Sequence, residues 1–256
     1  MAFDNFRLTQ KNDRSFELTG TVTKSEIDGF RQQALAKLQK ELNLPGFRPG
    51  KAPLNMVASN YDESTIFSET INIGLTAVYR QLIDKFELKP IVPPTIDFKS
   101  PPSPTSDSWE VIITSCLEPT VTLTPNYLTQ IKKLKKDKDQ QKNVDTIMAL
   151  IEKNSTLVFP QPLLDHEWEH YLEDNKIDPA KAKDLKNDYG DQLKRQWLLN
   201  LALNAIGQEH KINLTAEDLK NIQLPADLVK SNPQMAIHLL LQDKIVKFLI
   251  ENIPQA

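Results

Sequence analysis

The sequence predicts an α+β domain followed by an all-α domain, and three observations carry that prediction. Segments with alternating apolar residues occur in two pairs, one at each end of the first 118 residues, with helix-period segments between them. Beyond residue 139 only helical periodicity recurs. The chain has seven glycines and none between Gly74 and Gly190. Folds rich in tight φ > 0 turns need more, so this interval is expected to be mostly helix and extended linker, without a β-barrel or phosphate-loop domain.

In order along the chain, "FRLTQ" and "SFELTGTVT" place Phe16, Leu18 and Val22 on one strand face and flank the polar turn "KNDR", a hairpin signal. Thr23 and Glu26 form a capping-box pair, and Ile27, Phe30, Ala34, Leu38 and Leu42 follow at helical spacing. That helix leads into "LPGFRPGKAP", residues 44–53. "LNMVASNY" and "ESTIFSETINIGLTAVYRQLIDKF" read as a short and a long helix. "LKPIVPPTIDFKS" and "SWEVIITSCLE" return to strand character, the second alternating Trp109, Val111 and Ile113. The order predicts a four-stranded antiparallel sheet with helices on one face, in a domain spanning residues 1–118.

Residues 119–138 read as a linker, extended at first and then basic, with lysines at 132, 133, 135, 136 and 138, and a further one at 142. Such a run is ordinarily a solvated segment leading into a helix; its functional reading is a contact with nucleic acid. Residues 139–256 are expected to form the helical domain. Thr215 is a predicted N-cap, and Ile237, Leu240, Leu241, Ile245, Phe248 and Leu249 form the apolar stripe of the last helix.

Composition narrows the function classes. The chain has 256 residues, is 39% hydrophobic and 25% charged, and carries a formal net charge of -3. This is a globular composition, too near neutrality for bulk attraction to an anionic partner. Cys116 is the single cysteine, which excludes an internal disulfide framework and a Cys-based zinc site. The N-terminus lacks the pattern of a secretory signal, and the apolar stretches are too short or too interrupted by charge for a bilayer. These features lead us to expect a cytoplasmic protein.

Two motifs suggest chemistry. Gly46 to Lys51 superficially resembles a phosphate loop, but three residues, not four, separate the glycines, and Ala52 stands where a magnesium-binding hydroxyl is required. "HEWEH" matches H-E-x-x-H: on a helix, His166 and His170 reach one Zn²⁺ from the same face, and Glu167 is placed as general base. The following "HYLEDNK" supplies neither the glycine nor the third histidine of the extended protease pattern, and nothing singles out His210 or His238 as a third ligand. Leu164, Trp168 and Leu172 share the segment at packing spacing, so the histidines are expected to flank a packing face. A zinc hydrolase is the minor alternative. No cofactor is expected.

"GFRPGKAP" resembles the ribosome-binding signature of the bacterial trigger factor family, Gly-Phe-Arg-x-Gly-Lys-x-Pro, matched at Gly46, Phe47, Arg48, Gly50, Lys51 and Pro53, with Pro49 at the variable position. It follows a hairpin and a long helix, as in that family. "LVFPQPLLDHEWEHYLED", "LKRQWLLNLALNAIGQEHKINLTAEDL" and "MAIHLLLQDKIVKFLIENI" are similar to the family's helical C-terminal domain. The resemblance implies an ATP-independent chaperone, partly ribosome-associated. Gly46, Phe47, Arg48, Pro49, Gly50 and Lys51 would dock beside the exit tunnel of the large subunit, on ribosomal protein and ribosomal RNA, while helical arms shelter nascent or unfolded polypeptides. It admits a homodimer and gives no client-contacting residues. A ribosome-independent holdase or assembly chaperone of the same fold is the alternative. Full-length members carry an FKBP-like prolyl isomerase domain between the two parts. Here the linker passes into helix within some twenty residues, so this looks like a short form without that domain, and isomerase activity is not expected.

Overall fold

The computed structural model describes residues 3, 5–48, 50–178, 182, 184–220 and 226–254. In the first part, strands β1 (Arg7–Gln10) and β2 (Ser15–Thr23) precede helices α1 (Lys24–Glu41), α2 (Leu54–Asn60) and α3 (Glu63–Lys85) and strands β3 (Thr95–Phe98) and β4 (Ser108–Cys116). The second part holds β5 (Thr120–Leu123), α4 (Tyr127–Ile131), α5 (Gln140–Lys153), β6 (Ser155–Val158) and α6 (Gln161–Asn175). It continues through α7 (Leu185–Glu209), α8 (Ala216–Lys220), α9 (Ala226–Ser231) and α10 (Pro233–Glu251). The chain divides into two compact units, Met1–Glu118 with Pro160–Leu163, and Pro119–Phe159 with Leu164–Ala256.

The first unit is built on a four-stranded antiparallel sheet of order β1-β2-β4-β3, as the strand pattern predicts. β2 and β4 pair over nine residues, with Leu18 opposite Ile113 and Val22 opposite Trp109. The period of two puts Phe16, Leu18, Val22, Trp109, Val111 and Ile113 in one core with Ile27 and Phe30 of α1 and Val78 and Leu82 of α3. β1 and β3 are four-residue edges with no buried residue, short enough to offer little template for foreign strands. The capping box forms: the Thr23 N–H and hydroxyl both donate to Glu26 Oε2, at 2.7 and 2.8 Å.

The second unit is largely helical. It also holds a two-stranded antiparallel ribbon, β5 with β6, which the all-α expectation omits. "TVTL" and "STLV" are four residues each and lie over thirty residues apart, so neither shows a readable period. The residues read as a linker carry β5 and α4, and Tyr127 and Ile131 are buried in the helical core with Ile147, Ile151, Leu203, Ile206 and Leu249. In α10, Ile245 and Leu249 are buried and Leu241 and Phe248 pack partly against the core, as the stripe predicts. Ile237 departs from it at 49% exposure, whereas Ala236, Val246 and Ile250 are buried. Thr215 behaves as an N-cap, its hydroxyl accepting from the Asp218 N–H at 3.3 Å while its own N–H donates to Asp218 Oδ2 at 2.6 Å.

The glycine-poor interval contains four strands among its described residues, in addition to helix and linker. Its φ > 0 positions are met by other residues. Glu87 (φ 51°), Lys176 (φ 53°) and Lys211 (φ 51°) each follow a helix end in the left-handed region, the last of them beyond Gly190. The next residue in each case donates its N–H five residues back: Leu88 to Ile83 (3.0 Å), Ile177 to Leu172 (2.9 Å), Ile212 to Gly207 (2.8 Å). These are Schellman closures, normally made with glycine and a following apolar residue. The apolar member is retained, and the steric strain of a Cβ is accepted at the glycine position. Lys176→Gly and Lys211→Gly are therefore expected to stabilise the protein by about 0.5–1 kcal/mol each, read as a raised midpoint in denaturant unfolding. Glycine is expected to destabilise by a similar amount when it replaces the exposed Ala149, in the interior of α5.

Candidate functional site

The site begins with the turn chemistry of residues 44–53. Phe47 N–H donates to Leu44 O at 3.1 Å across Pro45-Gly46, and Gly46 has φ +88°, the pattern of a type II turn. A second i→i+3 bond, Lys51 N–H to Arg48 O at 2.9 Å, closes over Gly50 at φ +74°. Pro49 lies outside the described residues. Both glycines occupy backbone that an L side chain rarely adopts.

The feet of the loop are tied down. Ala52 is buried, and its carbonyl accepts from Gln39 Nε2 of α1 at 2.5 Å. Leu44 packs against the small cluster of Leu38, Ala52, Val57 and Ile66, which joins α1, α2 and α3 beneath the loop. Pro53 then caps α2, its carbonyl accepting from Met56 and Val57. Arg31 pairs with Glu63, and Lys37 with Glu69 at 2.6 Å, further linking α1 to α3.

Raised on this base, Phe47 is 38% exposed, and Arg48 and Lys51 are exposed with no ion pair among the described residues. The loop thus presents one aromatic and two exposed cations. Leu54 and Met56 on α2 are exposed as well, at 38% and 43%. Met56 and Phe47 share a shallow cleft of about 420 Å³ with Leu44, Pro45 and Asn55. By its pattern "LNMVASNY" reads only as the next helix, and the structure adds its outer face to the site. The signal lies in its apolar residues: among the bulky ones Val57 alone is fully buried, which leaves Leu54 and Met56 facing outward.

The histidine motif is assembled as the helix predicts. The rings of His166 and His170 stand 4.4 Å apart between centroids, edge to face, on α6. Leu164, Trp168 and Leu172 are buried on the neighbouring face, and Trp168 and Tyr171 stack near Tyr189 of α7. His210 instead lies 2.8 Å from the Tyr127 hydroxyl, and His238 is 2.9 Å from Gln242. Among the described residues no three histidine, cysteine, aspartate or glutamate side chains converge to hold a metal ion. Cys116 is fully buried in β4, and burial pushes its thiol up to about 11, so it carries no thiolate at neutral pH. No helix of the described residues is long and apolar enough to cross a membrane.

Comparison with known proteins agrees with the fold. The family model of the bacterial trigger factor protein matches residues 5–150. The trigger factor of Clostridium botulinum (strain Loch Maree / Type A3) is 23% identical over 188 residues, covering 71% of this chain and 43% of the relative. That of Lactiplantibacillus plantarum is 32% identical over 91 residues, covering 36% of this chain and 21% of the relative. The chain spans under half the length of the curated relatives it matches. A solved structure described as "Promiscuous Substrate Recognition in Folding and Assembly Activities of the Trigger Factor Chaperone" superposes with a TM-score of 0.65 at 10% identity. The superposition covers 96% of this chain and 99% of that one, so the two share a fold. With a family model matching more than half its length, the chain belongs to the bacterial trigger factor family.

Proposed function

We propose that the protein is an ATP-independent chaperone that docks on the large ribosomal subunit near the exit tunnel and shelters nascent polypeptides with its helical unit. The observation that carries this reading is the exposed Phe47, Arg48 and Lys51 triad on a loop whose two ends are fastened to the core. Gly46, Pro49 and Gly50 complete the docking segment, and the two glycines shape its turns.

The energetics favour a moderate, salt-sensitive contact. A fully transferred phenyl side chain contributes about 1.5–3 kcal/mol, but Phe47 has only 38% of its surface left to bury, so about 1 kcal/mol remains. Leu54 and Met56, exposed to a similar degree, add comparable amounts if the partner covers α2. Arg48 and Lys51 suit RNA phosphate or acidic side chains, attractions that weaken as salt rises. The fixed turns reduce the ordering cost of docking.

The solved relative's description names assembly as well as folding activities. This favours, as a second reading, an assembly chaperone of the same fold that acts off the ribosome. The two differ in one measurement, co-sedimentation with ribosomes. Members of the family that carry a prolyl isomerase domain place it between the two parts seen here. Residues 119–139 are all that lie between Glu118, after β4, and the start of α5 at Gln140, too few for another domain, and we infer that the chain lacks isomerase activity.

Replacing Phe47, Arg48 and Lys51 together with alanine is expected to weaken ribosome co-sedimentation by roughly 30- to 100-fold, the equivalent of about 2–3 kcal/mol. Unchanged pelleting would remove the docking assignment; suppression of aggregation by a protein that never pellets would select the second reading. Gly46→Ala meets no atom within 4 Å, so its cost of about 1–2 kcal/mol is backbone strain alone. It is expected to reduce ribosome binding at least several-fold while leaving the helix content by circular dichroism unchanged. A prolyl isomerase assay on a peptide substrate is expected to stay at the uncatalysed rate.

A further inference from the structure

We infer that the lysine-rich loop between α4 and α5 is a second anion-binding surface, built to lie against the phosphate backbone of folded RNA. Lys132, Lys133, Lys135, Lys136 and Lys138 fall within seven residues, all are exposed, and none makes an ion pair among the described residues. In a protein of net charge -3 this is a local concentration of positive charge that the rest of the chain does not share.

The acidic residues interleaved in "KKLKKDKDQQK" offset only part of it, since two aspartates stand among six lysines and the nearer carboxylate approaches Lys142. Asp139 Oδ1 accepts the Gln141 N–H at 2.9 Å as the N-cap of α5. Asp137 Oδ1 accepts the Asp139 N–H at 2.9 Å, and its second oxygen lies 3.9 Å from Lys142. The loop is also held in one shape. Asn143, 3% exposed, accepts from the Asp137 N–H at 2.8 Å and donates to the carbonyls of Asp137 and Asp139 at 2.9 and 3.1 Å. Leu134 packs partly against the helical core at the centre of the lysines. A buried amide and an apolar anchor thus fasten the loop from beneath while the five ammonium groups remain outside. A merely solvated charge run requires no such fastening.

The residue types select the partner. Lysines act as point charges, without the planar fork that makes arginine specific for single carboxylates. Residues 132–142 include no aromatic side chain, so there is no platform for unstacked bases, and a double-helical backbone suits the loop better than a single strand. Seven residues reach at most about 25 Å. A duplex carries one charge per about 1.7 Å of axis, whereas an acidic strand offers a carboxylate at most every 3.4 Å or so, half of them facing away. Five lysines over that reach stand about one per 5 Å, so a duplex offers more than enough phosphates to pair each of them, while an acidic strand, with about one carboxylate per 7 Å on a face, offers too few. The choice of RNA over DNA rests on the ribosomal reading above; the phosphate contact does not, and it is separate from the 46–51 loop.

The test is fluorescence anisotropy of a labelled 20-base-pair RNA hairpin with the full chain, titrated across salt concentrations. The native protein is expected to bind with an affinity that falls steeply with salt. Lys135→Gln, Lys136→Gln and Lys138→Gln combined are expected to weaken binding at least tenfold at about 50 mM salt. The log–log salt slope should become shallower by about 2–3, roughly one for each lysine–phosphate pairing removed. Lys89→Gln combined with Lys153→Gln, which removes exposed lysines outside both surfaces, is expected to bind the hairpin within twofold of the native protein, and the Phe47, Arg48 and Lys51 alanine variant is measured beside it so that a loss at the 46–51 loop stays distinct from a loss at this surface. Absence of hairpin binding, unchanged affinity in the glutamine variant, or a decrease confined to the 46–51 variant would overturn the inference. So would tighter binding of labelled poly-glutamate or of a DNA hairpin of the same sequence. Unchanged thermal unfolding of the glutamine variant checks that the fold is intact.

Discussion

The nine-residue pairing of β2 with β4 is the constraint on which the first unit depends. It joins segments far apart in sequence, Ser15 to Cys116 at one end and Thr23 to Ser108 at the other. Because side chains alternate, this one register turns Phe16, Leu18, Val22, Trp109, Val111 and Ile113 to the same face. A slip of one residue would send that whole set to the opposite side. α1 and α3 find their places by covering this face, and the loop at 44–53 exists where it does because α1 leaves the sheet and α2 must bring the chain back to α3. Closing so long a connection is entropically costly, and the apolar core has to compensate for it.

A small buried cluster can hold an exposed loop in place, and residues 44–53 are an instance. Leu38, Ala52, Val57 and Ile66 are buried, and their packing holds three helices together under the turn. Above them, type II geometry and two glycines at positive φ leave Phe47 with about a third of its surface in water. That exposure is a modest liability for the free protein and most of what the ring can offer a partner. The lysine loop of the second unit is held in a similar way with different materials: a buried amide, Asn143, takes the place of the apolar cluster.

The histidine motif marks the limit of short patterns. His166 and His170 do come together, because i and i+4 always do on a helix. A catalytic metal needs a third protein ligand and an open position, and that depends on what neighbouring elements bring. His210 and His238, the two remaining histidines, are engaged with Tyr127 and Gln242. The residues that dominate the region are Trp168, Tyr171 and Tyr189, a stacked aromatic cluster between α6 and α7.

Local features were legible in the chain itself. The capping box at Thr23 and Glu26, the N-cap at Thr215 and the alternation of β2 and β4 all depend on residues a few positions apart, and each forms as its pattern dictates. The family signature at 46–51 is equally local. Tertiary structure decided what depends on partners distant in sequence. The β5–β6 ribbon is invisible in two four-residue segments until they meet, and the segment 119–138, which reads as a linker, gains Tyr127 and Ile131 as core residues by packing on α5 and α7. Ile237, apolar and in phase, stays exposed while the adjacent Ala236 is buried, so packing at that turn of α10 falls on a different face from the stripe. Periodicity states which side of a helix is able to be buried; only the arrival of another surface determines where along the helix that burial happens.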